Sequence, residues 1–147
     1  MEACYFPVFN TNAKIRSIDG SLYIFDIVRK KYVRLTPEEW TRQHLIHYLI
    51  YDLAYSKALI RIEKKMQGHY SQDRPDIVVY NNDGMPLLVA ECKASHVALT
   101  LEGYTQLTRY NRKLQAPIWV ITNGIQYGCW KMEEGRVKSL DNIPAWS

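Results

Sequence analysis

The chain has 147 residues, 47% of them hydrophobic and 23% charged, with a formal net charge of +4. That length suits one domain with a real core, and those fractions are ordinary for a globular protein. No segment is apolar for long enough to cross a bilayer, and the opening residues Met1 to Pro7 lack the basic run that starts a secretory leader. Three widely spaced cysteines, Cys4, Cys92 and Cys129, argue against a disulfide framework or a cysteine-rich zinc site. A cytoplasmic protein is expected.

Residues 1–12 carry little signal. Ile15 to Ile18 and Leu22 to Val28 are β-rich runs joined at Asp19-Gly20, a hairpin pair. Arg29-Lys30-Lys31 then turns the chain into Tyr32 to Leu35, completing a small β-meander. This basic turn could touch a phosphate backbone, although a plain exposed turn is the simpler assignment.

Thr36-Pro37-Glu38-Glu39 has the chemistry of a helix start, with Thr36 as N-cap, Pro37 at the first helical position and Glu39 closing a capping box. Leu45, Leu49 and Leu53, with Ile46 and Ile50, give the helix a broad apolar face. His44 and His47 lie three apart, a spacing able to bind metal, but no further ligands accompany them. Surface or capping contacts are expected for both. Ala58 to Met66 alternates after Leu59 and reads as the first core strand. Glu63 on it either faces a site or pairs with a lysine of its own surface.

The most informative stretch follows. Ile77 to Tyr80 reads as one strand, Asn81 to Gly84 as a turn, and Leu87 to Ala90 as a second strand, apolar at every position as in a strand covered on both faces. That second strand nevertheless ends in Glu91 and Lys93. Side chains at i and i+2 share a face, so these two point one way and Cys92 the other. Cys92 is expected to be a small core residue. If the strands pair, Asp76 meets Glu91, and two carboxylates converge beside one ammonium. A hard divalent cation such as magnesium is a natural occupant between them. Gln106 and Tyr110 then share one face of the next helix, expected over Glu102 to Leu114. Beyond Ala116-Pro117, Ile118 to Thr122 and Gln126 to Met132 read as further strands, with turns at Asn123-Gly124 and Glu134-Gly135. A tail holding Ile143, Pro144 and Trp146 is expected to dock on the domain.

Pro75-Asp76 followed by Glu91-x-Lys93 resembles the signature of the PD-(D/E)xK nuclease superfamily, and Gln106-x-x-x-Tyr110 resembles the further motif of its RecB-like branch. The chain looks most like the N-terminal nuclease domain of type I restriction enzyme R subunits, from about Thr36 to Asn123. The resemblance implies an α/β (α+β) fold with a restriction-endonuclease-like core, a central mixed sheet flanked by helices. As a single nuclease-like domain, the chain would divide into a β extension over 1–35, the core over 36–135 and a tail over 136–147. The resemblance further implies a DNA endonuclease that uses magnesium or manganese, held by Asp76, Glu91 and the backbone carbonyl of Cys92. Lys93 would orient the attacking water or stabilise the phosphate. Gln106 and Tyr110 would position the DNA backbone or the metal-bound water. Members of the superfamily often add a metal-binding acid on the first helix, where Glu39 stands, although the capping role is the favoured one.

No Gly-x-x-x-x-Gly-Lys-Ser/Thr stretch occurs, so these residues hold no P-loop for ATP; the chain is then a fragment, a stand-alone nuclease, or a subunit whose partner is a separate motor or restriction-modification subunit. Two other readings share the fold. One is a non-catalytic DNA-binding or assembly module using the basic clusters Arg29 to Arg34 and Arg109 to Lys113. The other is a nuclease resembling the resolvases of branched DNA.

Overall fold

The structure, a computed structural model, describes residues 4–5, 13–62 and 74–147. Three strands form a meander of their own: β1 is the short Cys4–Tyr5 of the main sheet, whereas β2 (Ile15–Ile18), β3 (Ser21–Asp26) and β4 (Lys31–Arg34) make a separate antiparallel sheet in the order β2-β3-β4. Asp19 and Gly20 turn β2 into β3 with φ of 49° and 81°, the paired left-handed conformation that hairpin turns require. β3 stops at Asp26, two residues sooner than the apolar run suggests. The Asp26 carboxylate accepts from the backbone N–H groups of Val28 and Arg29, both at 2.8 Å, and so trades the strand for a turn.

The first helix, α1 (Pro37–His47), begins where Thr36 accepts from the Glu39 backbone N–H at 3.1 Å. It runs on as a wider π-helical turn over Tyr48–Asp52. A short 3-10 turn at Lys57–Leu59 then leads into β5 (Ile60–Ile62), which starts later than the alternation predicts. Glu63 and the rest of that expected strand lie outside the described residues.

β6 (Ile77–Tyr80) and β7 (Pro86–Cys92) pair antiparallel around the turn at Asn81 to Gly84. Gly84 takes a φ of 78°, and the Asn81 side chain accepts from the N–H groups of Asp83 and Met85. The second helix, α2 (Leu101–Leu114), carries the chain across to β8 (Ile118–Thr122), which lies parallel to β7. Parallel neighbours need such a crossover. β9 (Gln126–Glu133) returns antiparallel to β8, and β10 (Arg136–Leu140) pairs with β9. The first half of the supposed tail is therefore a strand, enabled by a left-handed Glu134-Gly135 turn. The remainder docks as expected: Ile143 is buried, the Trp146 N–H donates to the Leu53 carbonyl, and Tyr55 Oη donates to the Pro144 carbonyl at 2.7 Å.

The main sheet thus runs β1-β9-β8-β7-β6-β5, with β10 also on β9. One face packs under α1, with Leu45, Ile46 and Leu49 against Ile77, Val79, Leu88, Ala90, Cys92 and Val120. The other packs under α2, with Leu107 and Tyr110 against Val78, Val89 and Trp119. The architecture is the expected mixed sheet between helices, and each fully buried Leu or Ile in it contributes about 1.5–3 kcal/mol. His44 and His47 are 4% and 5% exposed, so of the surface or capping contacts expected of them the surface one does not hold. The helix face is wider than its aliphatic residues indicate, because Trp40 packs on His44 and Tyr51 on His47, with ring centroids 5.4 and 5.5 Å apart. Burial holds the His47 imidazole below its usual pKa, partly offset by the charge of Asp26.

Asp26 ties the meander to α1. It is fully buried and accepts from Arg29 Nε at 2.6 Å and from Gln43 Nε2 on α1 at 2.8 Å. Burial alone would raise its pKa, but the bonds from Arg29 and Gln43 outweigh this and hold it below its ordinary 3.8. A group whose pKa is depressed on folding stabilises the fold above its unfolded pKa and loses that contribution as pH falls through the folded value. Asp26→Ala leaves buried donors without their acceptor and is expected to cost about 3 kcal/mol in urea unfolding at pH 7. The gap between variant and wild type should stay constant down to about pH 5 and narrow once the pH passes below about 3.8.

Candidate functional site

Asp76 stands one residue before β6. The pairing of Ile77 with Ala90 is the last of the ladder and brings Asp76 to the end of β7, next to Glu91 and Cys92. Its Oδ2 accepts from the Cys92 backbone N–H at 2.7 Å, so the carboxylate takes over the pairing where the strand ladder ends. Its Oδ1 accepts from Arg42 Nη2 on α1 at 3.1 Å. Asp76 and Glu91 are 2% and 1% exposed.

Alternation along β7 works as the sequence predicts. Cys92 is buried in the cluster beneath α1, and its thiol is pushed well up by burial, with the Asp76 charge adding to the effect. Glu91 and Lys93 turn toward α2. Lys93 Nζ lies 3.8 Å from Glu91 Oε1 and donates to Gln106 Oε1 at 3.3 Å. The Lys93 backbone N–H donates to the Thr122 carbonyl, extending the parallel pairing past the end of β7.

A cleft of about 300 Å³ opens beside these groups, lined by Lys93, Val97, Thr100, Gln106 and Ile121. The first turn of α2 borders it. The loop before the helix is pinned by Asn123, whose Nδ2 donates to the Val97 carbonyl at 2.9 Å. The helix can lie this close because residue 103 is glycine. A Cβ there would run into Ile121 Cδ1 on β8.

Asp76, Glu91, Lys93 and Gln106 are thus gathered at one end of the sheet. Tyr110, one turn beyond Gln106, instead packs in the apolar cluster with Leu107, Val78 and Val89. Glu39 forms only half of a capping box. Its backbone N–H donates to Thr36, but its buried carboxylate is gripped by Arg29 Nη2 and Arg42 Nη1. Arg42 therefore stands between Glu39 and Asp76. Burial alone would lower the guanidinium pKa, but the charges of Asp76 and Glu39 raise it. Sequence reasoning missed this residue. Its signal was the Glu39-x-x-Arg42 spacing, which suggests a helical ion pair and says nothing of Asp76.

Asp76 and Glu91, two buried carboxylates on neighbouring strands, are the hard oxygen donors that magnesium or manganese takes. Each carboxylate oxygen accepts more than one bond, so the donors already on Asp76 leave room for an ion. The chemistry of the pair fits such a metal. Among the described residues, no group of three His, Cys, Asp or Glu side chains is placed to share one ion.

Arg42→Met removes the cation placed between buried Glu39 and Asp76. It is expected to destabilise the domain by about 3–5 kcal/mol in urea unfolding, with Arg42→Lys intermediate because an ammonium cannot fork between two acids.

No curated protein matches this chain. The sequence model of the family described as the N terminus of the type I restriction enzyme R protein matches residues 37–144, from the first residue of α1 to the docked C-terminal segment. Among the described residues, no helix is long and apolar enough to cross a membrane. With most of its length covered by that match, including both signature strands and α2, the chain belongs to the type I restriction enzyme R protein N-terminal (HSDR_N) family.

Proposed function

We propose that this domain is a divalent-metal-dependent DNA endonuclease of the PD-(D/E)xK kind. The observation that carries the reading is the placement of Lys93. It stands between buried Glu91 and Gln106 at the mouth of a cleft, with Asp76 across the sheet. Asp76 and Glu91 would hold magnesium or manganese, with the Cys92 carbonyl as a further ligand. A metal so held lowers the pKa of water and neutralises charge developing on a phosphate.

The chain's own residues would do the rest. The Lys93 ammonium faces the cleft as a compact positive charge, suited to a phosphate oxygen gaining charge or to a water it can orient. Gln106 fixes where that ammonium points. The Cys92 N–H and Arg42 hold the Asp76 carboxylate from two directions, so its orientation is set before substrate arrives. Tyr110 supports the α2 backbone beneath Gln106 through its packing. DNA is the expected substrate, and other restriction-modification subunits are the expected partners.

The test combines calorimetric titration of magnesium and manganese with cleavage of supercoiled plasmid. Wild type should bind metal and nick or cut. Glu91→Gln should lose both activities. Lys93→Ala should keep metal binding and remain folded by circular dichroism, with a lower unfolding midpoint because buried Glu91 loses a neighbouring cation, while cleavage falls by about 100-fold or more. Cleavage by Lys93→Ala at the wild-type rate would overturn the reading. Metal binding and DNA binding with no cleavage under either ion would favour a non-catalytic module.

A further inference from the structure

We infer that the solvent-facing side of the meander is a binding platform for single-stranded nucleic acid, separate from the cleft. The sheet's two faces differ. Ile24 and Asp26 point inward and are fully buried. The register pairs Arg16 with Tyr23 and Tyr23 with Arg34 on the other face, and beside this row it pairs Phe25 with Tyr32. Lys14 extends the second row, its carbonyl accepting from the Phe25 N–H at 2.8 Å. The face therefore reads cation, ring, cation in one row and cation, ring, ring in the next. Rows on one face lie about 6.8 Å apart along a strand.

The three rings are half-buried, the three cations are exposed, and none of the rings belongs to either core cluster. Arg16 Cζ lies 4.6 Å from the centroid of the Tyr32 ring, and Phe25 meets Tyr32 edge-on at 5.3 Å. These contacts hold Tyr32 in place, with Arg16 over one side of its ring and Phe25 at an edge-on angle to it. The only acids between residues 13 and 36 are Asp19, in the turn, and Asp26, on the opposite face. This side of the sheet is thus uniformly positive.

Charge and rings together select the ligand. Cations alone would suit any polyanion, but an acidic peptide gives the rings nothing to stack on. Duplex DNA keeps its bases stacked on one another and offers the rings little. A single strand supplies both phosphates for Lys14, Arg16 and Arg34 and free base faces for Tyr23, Phe25 and Tyr32. Arg29 does not contribute, because its guanidinium is turned inward onto Asp26 and Glu39.

The measurement is fluorescence anisotropy of a labelled 15-nucleotide oligothymidylate with the full chain in EDTA. Cleavage plays no part under these conditions, so the outcome is independent of the proposed nuclease activity. Saturable binding is expected, with a log–log salt slope near −2, as about three phosphate contacts to a single strand imply. Tyr23→Ala should weaken binding roughly 5- to 100-fold, the range for loss of one stacked base, while Tyr23→Phe stays within about twofold of wild type. Arg34→Glu, a surface change that does not depend on repacking a ring, should weaken it at least about 10-fold. Lys138→Glu on β10 should have no effect. Circular dichroism and an unfolding midpoint accompany each variant. The inference is overturned if wild type does not bind, or if folded Tyr23→Ala and Arg34→Glu bind like wild type. It is equally overturned if polyglutamate or duplex of the same length displaces the oligonucleotide as well as unlabelled oligothymidylate does.

Discussion

An alternating chain of buried charge, Asp26–Arg29–Glu39–Arg42–Asp76, joins the meander, the first helix and the signature strand. Its three carboxylates are 0%, 5% and 2% exposed. Taking a carboxylate out of water costs several kcal/mol unless opposite charge and hydrogen bonds replace the water. Here each arginine is shared between two acids, so no acid can be satisfied unless the elements around it hold their positions. Arg29 comes from the turn after β3, Glu39 and Arg42 from successive turns of α1, and Asp76 from the entry to β6. The apolar clusters favour α1 lying on the sheet, but aliphatic packing tolerates sliding. The ion chain sets where along the sheet the helix rests. Changes at its members are expected to be strongly non-additive, since each removes the compensation of the next.

The same chain gives the two site carboxylates different characters. Asp76 is held by a guanidinium that is always charged and by a backbone N–H, two donors fixed by the fold. Glu91 has the Lys93 ammonium 3.8 Å away, on a flexible stem. Behind the cleft there is therefore one rigidly held acid and one beside a charge that can move. The reorganisation falls on Lys93, the residue that also faces the cleft. Gln106 limits how far it can swing. In this arrangement the sheet and α1 supply rigidity, and the adjustable part is confined to one side chain.

How much of this was legible in sequence depended on whether the deciding contact was local. The turn at Asn81 to Gly84, the Thr36 cap and the alternation of Glu91, Cys92 and Lys93 are fixed within a few residues, and each lies where it was expected. Gln106 was legible as one face of a helix, and its reach to Lys93 follows from the crossover that any parallel strand pair needs. The misses are contacts between distant residues. Arg42 and Asp76 are 34 positions apart, and nothing near Arg42 marks it as more than a helical ion-pair partner. Asp26 sits in an apolar run that reads as strand, because its role as a turn-forming acceptor depends on Gln43 and Arg29 closing around it. His44 and His47 were placed outside because histidine is ambivalent and the aromatic neighbours that cover them lie on their own helix. β10 was hidden because Arg136 to Leu140 is largely exposed, and a strand at a sheet's margin carries no apolar alternation to read.

The gathering of the site at this edge follows from topology. β7 is parallel to β8, so α2 must start near the carboxyl ends of both strands, and crevices at such ends are where α/β sheets take ligands. β6 runs the other way, so its beginning arrives at the same edge and brings Asp76 with it. The motif's position in the strand matters as much as its residues. Moved two places upstream, Glu-x-Lys would put its acid at position 89, where Val89 is packed in the cluster with Leu107 and Tyr110. A charge there would be buried with no cleft to face and no neighbouring element to compensate it. At 91 and 93 the acid is still inside the sheet and the lysine has just cleared the helix. This two-residue step between core and cleft lets a buried carboxylate and a partly exposed ammonium stand side by side.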